Sequence, residues 1–233
     1  MRESVGALAA VAVAFSLVGT AICRADAPGV ENALPTIFRR MTAEPYELDA
    51  HPRYVDGAKF RCPQPETVAY RGTTIRYRPT VRVHRAFRER LERFEALVAK
   101  VGKRYYGRAP FRLVHSGGFN CRRVRGSSVR ISEHALGNAL DLRGFDFPHI
   151  GARASKRLGL PRRYGRSFRV RVAEHWNATR PRDRRHSEFL HALADAVRNE
   201  PDVFRGVVGP GWPRHDNHLH FDVAPWGYAL YER

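Results

Sequence analysis

Apolar and polar positions recur along this chain with two distinct periods. From about His84 to Tyr105, residues Phe87, Leu91, Phe94, Val98 and Val101 follow helical spacing, with Arg, Glu and Lys between them and Gly107 near the end. That pattern predicts an amphipathic helix packed on a sheet. A second helix is expected from about Ser187 to Asn199, on the stripe Phe189, Leu190, Leu193 and Val197. Period-two alternation marks two strands: Ala139–Arg143, just after a glycine, and His218–Val223, polar on one face and apolar on the other. Shorter strands are expected at Thr67–Tyr70, Thr74–Tyr77 and Phe111–His115, the last ending in Ser116-Gly117-Gly118. Pro63, Pro65 and Pro79 keep 61–80 irregular or extended. The Arg-rich stretch 152–185 has little pattern and reads as loop or basic flank. No internal repeat is present.

The N-terminus follows a different pattern. Val5 to Ile22 is uncharged and apolar, and small residues after it offer cleavage after Ala21 or after Ala27. Residues 1–27 therefore read as a signal peptide directing export, with an uncleaved membrane anchor as the alternative. Gly, Ser and Ala make the run only weakly hydrophobic, which favours cleavage. Residues 28–60 hold Pro and Gly without a sustained period and read as a linker or strap. Residues 61–233 form one domain with a real core. Cys23 lacks the small preceding residue of a lipid-anchored start. The two cysteines that remain, Cys62 and Cys121, suggest one disulfide in an exported chain, or else free thiols. Pairing them closes a loop of roughly 60 residues, worth about 4 kcal/mol in the chain-entropy model.

Charge narrows the partners. The formal net charge is +18, carried mostly by Arg, and all of the excess lies beyond residue 60. Such a field favours nucleic acid, anionic lipid or an anionic cell-wall polymer. No nucleic-acid module and no interleaved aromatics accompany it, so specific nucleic-acid binding is not expected. Export points instead to a wall or membrane surface.

Chemistry concentrates in two places. In Ser132-Glu133-His134-Ala135-Leu136-Gly137-Asn138-Ala139-Leu140-Asp141, a His and an Asp are separated by a glycine that permits a sharp turn into the strand. Alternation puts Asp141 on the face shared by Ala139 and Arg143, and small Ala139 leaves room beside the carboxylate. Zinc takes imidazole nitrogen and carboxylate oxygen, and catalytic sites use three protein ligands. The third is expected from His215-Asp216-Asn217-His218-Leu219-His220, where His218 and His220 project to one strand face. One of these imidazoles can serve as ligand and the other as acid/base group, and Asp222 or Asp216 can orient an imidazole from behind.

Cys121-Arg122, Ser132-Glu133-His134 through Asp141, Gly209-Pro210-Gly211 and His215-x-x-His218-x-His220 together resemble the bacterial extensin-like C-terminal family. That family is similar to the D-alanyl-D-alanine carboxypeptidases and murein endopeptidases with the signature Ser-x-His-x-x-Gly-x-Ala-x-Asp. The resemblance runs from roughly Cys62 to Ala224. It implies an α+β, Hedgehog/D,D-peptidase-like fold with a small antiparallel sheet and flanking helices. It further implies a periplasmic or secreted zinc hydrolase cutting peptide bonds in peptidoglycan or its muropeptides. His134, Asp141 and His220 are then the zinc ligands, with Ser132 behind them. His218 is the general base, His215 a second candidate, and Arg122 the group that steadies the oxyanion or a substrate carboxylate. Where the carboxypeptidase branch has a glutamate, three residues before the last ligand, this chain has Asn217. The base must then be a histidine, as in the endopeptidase branch, or the domain binds the wall without cutting it.

Overall fold

The computed structural model describes residues 39–40 and 60–233. The expected signal peptide 1–27, with its cleavage sites and Cys23, lies outside the described residues, as does most of the strap 28–60. Among the described residues no helix is long and apolar enough to cross a membrane.

The predicted long helix is α1, Phe87–Tyr106, and its apolar stripe is buried throughout. Two charged residues are buried with it, and each ties down a loop. The Glu95 carboxylate accepts the backbone N–H groups of Thr73, Thr74 and Ile75 and the hydroxyls of Tyr70 and Thr74. Arg90 donates to the carbonyls of Pro201 and Val203 at 2.8 and 3.2 Å. Both charges are compensated where they sit, which is the condition for burying them.

The strands are β1 (Arg39–Arg40), β2 (Thr67–Tyr70), β3 (Arg76–Arg78), β4 (Val81–His84), β5 (Arg112–Gly117) and β6 (Ala139–Phe147). They continue with β7 (Phe168–Arg171), β8 (Gly206–Val208), β9 (Leu219–Asp222) and β10 (Trp226–Leu230). One eight-stranded sheet runs β1-β10-β8-β9-β6-β5-β3, with β7 also on β6, and β2 pairs β4 apart from it. The class is α+β as expected. The sheet, however, is neither small nor wholly antiparallel, because β3 pairs β5 and β8 pairs β10 in parallel.

Strand β6 organises the domain. One edge holds β5, while the other is shared, with β9 along Ala139–Leu142 and β7 along Gly144–Phe147. The stretch 152–185 corrects the loop expectation: it contains α2 (Ala152–Arg157), β7 and α3 (Val172–His175). The second predicted helix is α4, Arg184–Arg198, packed on α1 through Phe189 against Tyr105 and Tyr106. On β9 the apolar face is locked by Phe221, stacked on Phe204 at 5.0 Å and packed on Phe94 at 5.3 Å. Burying one such ring contributes about 1.5–3 kcal/mol, so the strand carrying His220 is firmly held.

Candidate metal centre

The His134 segment is shaped by its own residues. Ser132 caps the 3-10 turn Glu133–Leu136, its hydroxyl accepting the His134 N–H at 3.3 Å. Gly137 ends the turn in the left-handed region at φ +73°, and its carbonyl accepts the His84 N–H at 2.7 Å. A Cβ on Gly137 would lie 2.6 Å from that His84 nitrogen. Gly137→Ala therefore combines a left-handed penalty of about 1–2 kcal/mol with a backbone collision. We expect a loss of at least about 2 kcal/mol in urea unfolding, with weakened metal binding, because this turn sets His134 against Asp141.

Strand register supplies the other two donors. Asp141 on β6 stands directly opposite His220 on β9. Asp141 Oδ1 lies 2.9 Å from His220 Nδ1 and 3.1 Å from His134 Nε2, and those two nitrogens are 3.1 Å apart. Donors around a four-coordinate zinc, with bonds of about 2.0–2.1 Å, stand roughly 3.3 Å from one another, so the spacing fits. The three residues form a group able to hold a metal ion.

The far side of each ring is tied. His134 Nδ1–H donates to the Gly118 carbonyl at 2.5 Å, leaving Nε2 turned to the cluster with its lone pair. His220 Nε2–H donates to Asp222 Oδ2 at 2.9 Å, so Nδ1 faces Asp141. Asp222 is itself held by the Tyr228 hydroxyl and by the Ala224 N–H. Gly206 on β8 leaves the room for this, since a Cβ there would collide with Asp222 Oδ1 and the Tyr228 ring.

Electrostatics follow from this packing. Burial pushes the Asp141 carboxyl up, but the neighbouring His134 and His220 imidazoles outweigh it and hold it far below the carboxylate range. Burial lowers His220, yet Asp141 and Asp222 together raise it to about 10. Asp222 stays ionised despite burial because His220 and Tyr228 donate to it, and Tyr228 is pushed well up by burial and by Asp222. Asp222→Asn should remove the acceptor that orients His220. We expect zinc affinity to fall about 10–100-fold, read by competition with a chelating dye, while the circular dichroism spectrum is unchanged.

The other sequence candidates divide. His218 sits beside the cluster with Nε2 3.7 Å from Asp141 Oδ1, and its Nδ1–H donates to Asn217 Oδ1 at 2.9 Å. Burial depresses His218 to about 4, with Asp141 opposing and His215 reinforcing the shift. The His215 ring lies tilted beside His218, centroids 4.8 Å apart, with its Nδ1 on the Pro213 carbonyl at 2.9 Å. Arg122 is half-buried and lowered by that burial, with the Asp141 charge opposing. Cys62 and Cys121 form the disulfide, Cα to Cα 5.7 Å, beside Arg122. Asp216 is a correction: it is exposed on the loop, and among the described residues it bonds to neither imidazole, so the orienting carboxylate is Asp222 alone. Tyr228 and the Gly118 carbonyl were not foreseen, because both reach the site through pairing distant in sequence. The only local signal at Tyr228 was an aromatic shortly after the histidine strand.

Fold and cluster together define the class: an α+β protein with a His–Asp–His donor group built from two paired antiparallel strands and the turn that precedes one of them. The family model for the extensin-like protein C-terminus matches residues 39–230, and the chain belongs to that family. No curated protein and no solved structure matches it.

Proposed function

We propose that this chain is a zinc-dependent hydrolase of peptide bonds in bacterial peptidoglycan, of the D,D-carboxypeptidase or endopeptidase type. The observation that carries the proposal is the triangle of His134 Nε2, Asp141 Oδ1 and His220 Nδ1, with sides of 2.9–3.1 Å. Two imidazoles and one carboxylate suit zinc among the common divalent ions. Zinc held by these residues would supply a Lewis acid for a water nucleophile and for the amide carbonyl.

The remaining work falls to side chains. His218 is the base: Asn217 fixes its proton on Nδ1, so the lone pair of Nε2 faces the cluster. It takes the proton of the attacking water and returns it to the leaving amine. Asn217 thus orients the base at the position where the carboxypeptidase branch places a glutamate. Arg122, on the Asp141 side of the site, steadies the oxyanion or the substrate carboxylate. The basic surface keeps the enzyme on the anionic wall after export to the periplasm or beyond.

Asn217 also favours a second reading, a wall-binding module that holds zinc without cutting. Purified crosslinked muropeptides with wild type and His218→Gln separate the two. The hydrolase releases new amino groups, and His218→Gln is slower by about 10²–10⁴-fold with its zinc retained. A protein that binds zinc and sacculi but releases nothing is the module.

A further inference from the structure

We propose that the chain holds a second divalent transition-metal ion, of the zinc class, between α3 and the start of α4, on His175, Asp183 and His186. These residues belong to other elements than the first cluster. One ligand atom from each lies within 4.8 Å of the others. Donors on a four-coordinate zinc stand roughly 3.3 Å apart, so the partly exposed Asp183 carboxylate would have to move in to close the set.

Tautomer assignment is the independent support. His186 is more than nine-tenths buried, ringed by Tyr106, Tyr164, Phe168 and His175. The Tyr106 hydroxyl donates its single proton to the Arg185 carbonyl at 3.2 Å, so at 2.8 Å it accepts from His186 Nδ1–H. Nε2 of His186 is left as a bare lone pair, and no hydrogen bond reaches it among the described residues. This is how ligating histidines are oriented, by a partner on the opposite nitrogen. His175 Nδ1 accepts the Arg171 N–H at 3.0 Å and lies 3.1 Å from the Arg171 carbonyl, so its Nε2 carries the proton that an ion would displace on binding.

Asp183 completes the set. It occupies the N-cap position of α4, where aspartate ordinarily accepts a backbone N–H, yet its side chain makes no capping bond. Arg182 Nε reaches Oδ2 at 3.4 Å and leaves Oδ1 for an ion. Two nearby arginines oppose a cation but are turned to backbone: Arg185 Nη1 to the Tyr105 carbonyl at 2.9 Å, and Arg163 Nη2 to the Arg182 carbonyl at 3.3 Å. The Ser187 hydroxyl already ties α4 to the Trp176 carbonyl at 2.5 Å, so the ligands are preorganised. The ion would staple α3 to α4 across the arginine-rich turns between them.

The test is zinc stoichiometry by equilibrium dialysis of the metal-stripped full chain against zinc chloride. Wild type should bind two equivalents, Asp183→Asn and His175→Gln one each, Asp141→Ala one, and Asp141→Ala/Asp183→Asn none. Added zinc should still raise the melting temperature of Asp141→Ala and leave the double variant unmoved. One equivalent in wild type that vanishes in Asp141→Ala, or two equivalents persisting in both Asp183→Asn and His175→Gln, overturns this second site. Failure of the first site reads differently: zinc content then ignores Asp141→Ala and follows Asp183.

Discussion

Asp141→Ala is expected to abolish zinc binding at the His134 cluster and reduce peptidoglycan hydrolysis to background. Oδ1 of Asp141 is the vertex common to three imidazoles, at 2.9 Å from His220, 3.1 Å from His134 and 3.7 Å from His218. Without it the two ring nitrogens that remain face each other with no anion to balance a divalent charge. The loss of affinity should exceed the roughly 10–100-fold that removal of a supporting partner costs. Folding should survive, because His220 keeps its bond to Asp222 and the alanine lies on a strand edge already paired to β9. Dialysis followed by atomic absorption reads the metal, and amine release from muropeptides reads the activity.

Removing the disulfide is expected to carry the largest cost in stability. Cys62 and Cys121 are 59 positions apart, and freeing that loop costs about 4 kcal/mol in the chain-entropy model. For a domain of this size that corresponds to a melting temperature lower by about 8–16 °C. Position makes the effect reach the site. Cys62 packs with Phe60 on the small cluster of Ile131, Ala135 and Leu136, directly under the turn that carries His134. Asn120, next to Cys121, donates its N–H to the His134 carbonyl at 2.9 Å. Cys62→Ser/Cys121→Ser should therefore lower zinc affinity as well as the unfolding midpoint. Calorimetry at fixed zinc activity separates the two effects.

Where the apolar period is long, the fold was legible. Phe87, Leu91, Phe94, Val98 and Val101 span about four turns and place α1 to within a few residues. Alternation at Ala139–Arg143 and His218–Val223 foretold the two strands, though not that they pair, and the glycine between His134 and Asp141 foretold the turn. The stretch 152–185 was not legible, because α2, β7 and α3 are four to six residues each, too short for a period to show. The buried residues of this stretch, among them Tyr164, Val170, Val172 and Trp176, are scattered among arginines. The parallel pairings β3–β5 and β8–β10 and the Tyr228–Asp222 bond join segments through the sheet, and local pattern carries no trace of them. Glu95 and Arg90 sit on the apolar face of α1 for the same reason: their partners lie in distant loops.

The most direct measurement of the central claim is digestion of crosslinked muropeptides by the metal-stripped protein, with and without zinc, beside Asp141→Ala. The account predicts no product from the stripped protein, full restoration of amine release by zinc, and none from the variant under either condition. Equal cleavage by the stripped protein, or zinc-dependent cleavage that survives Asp141→Ala, would contradict it.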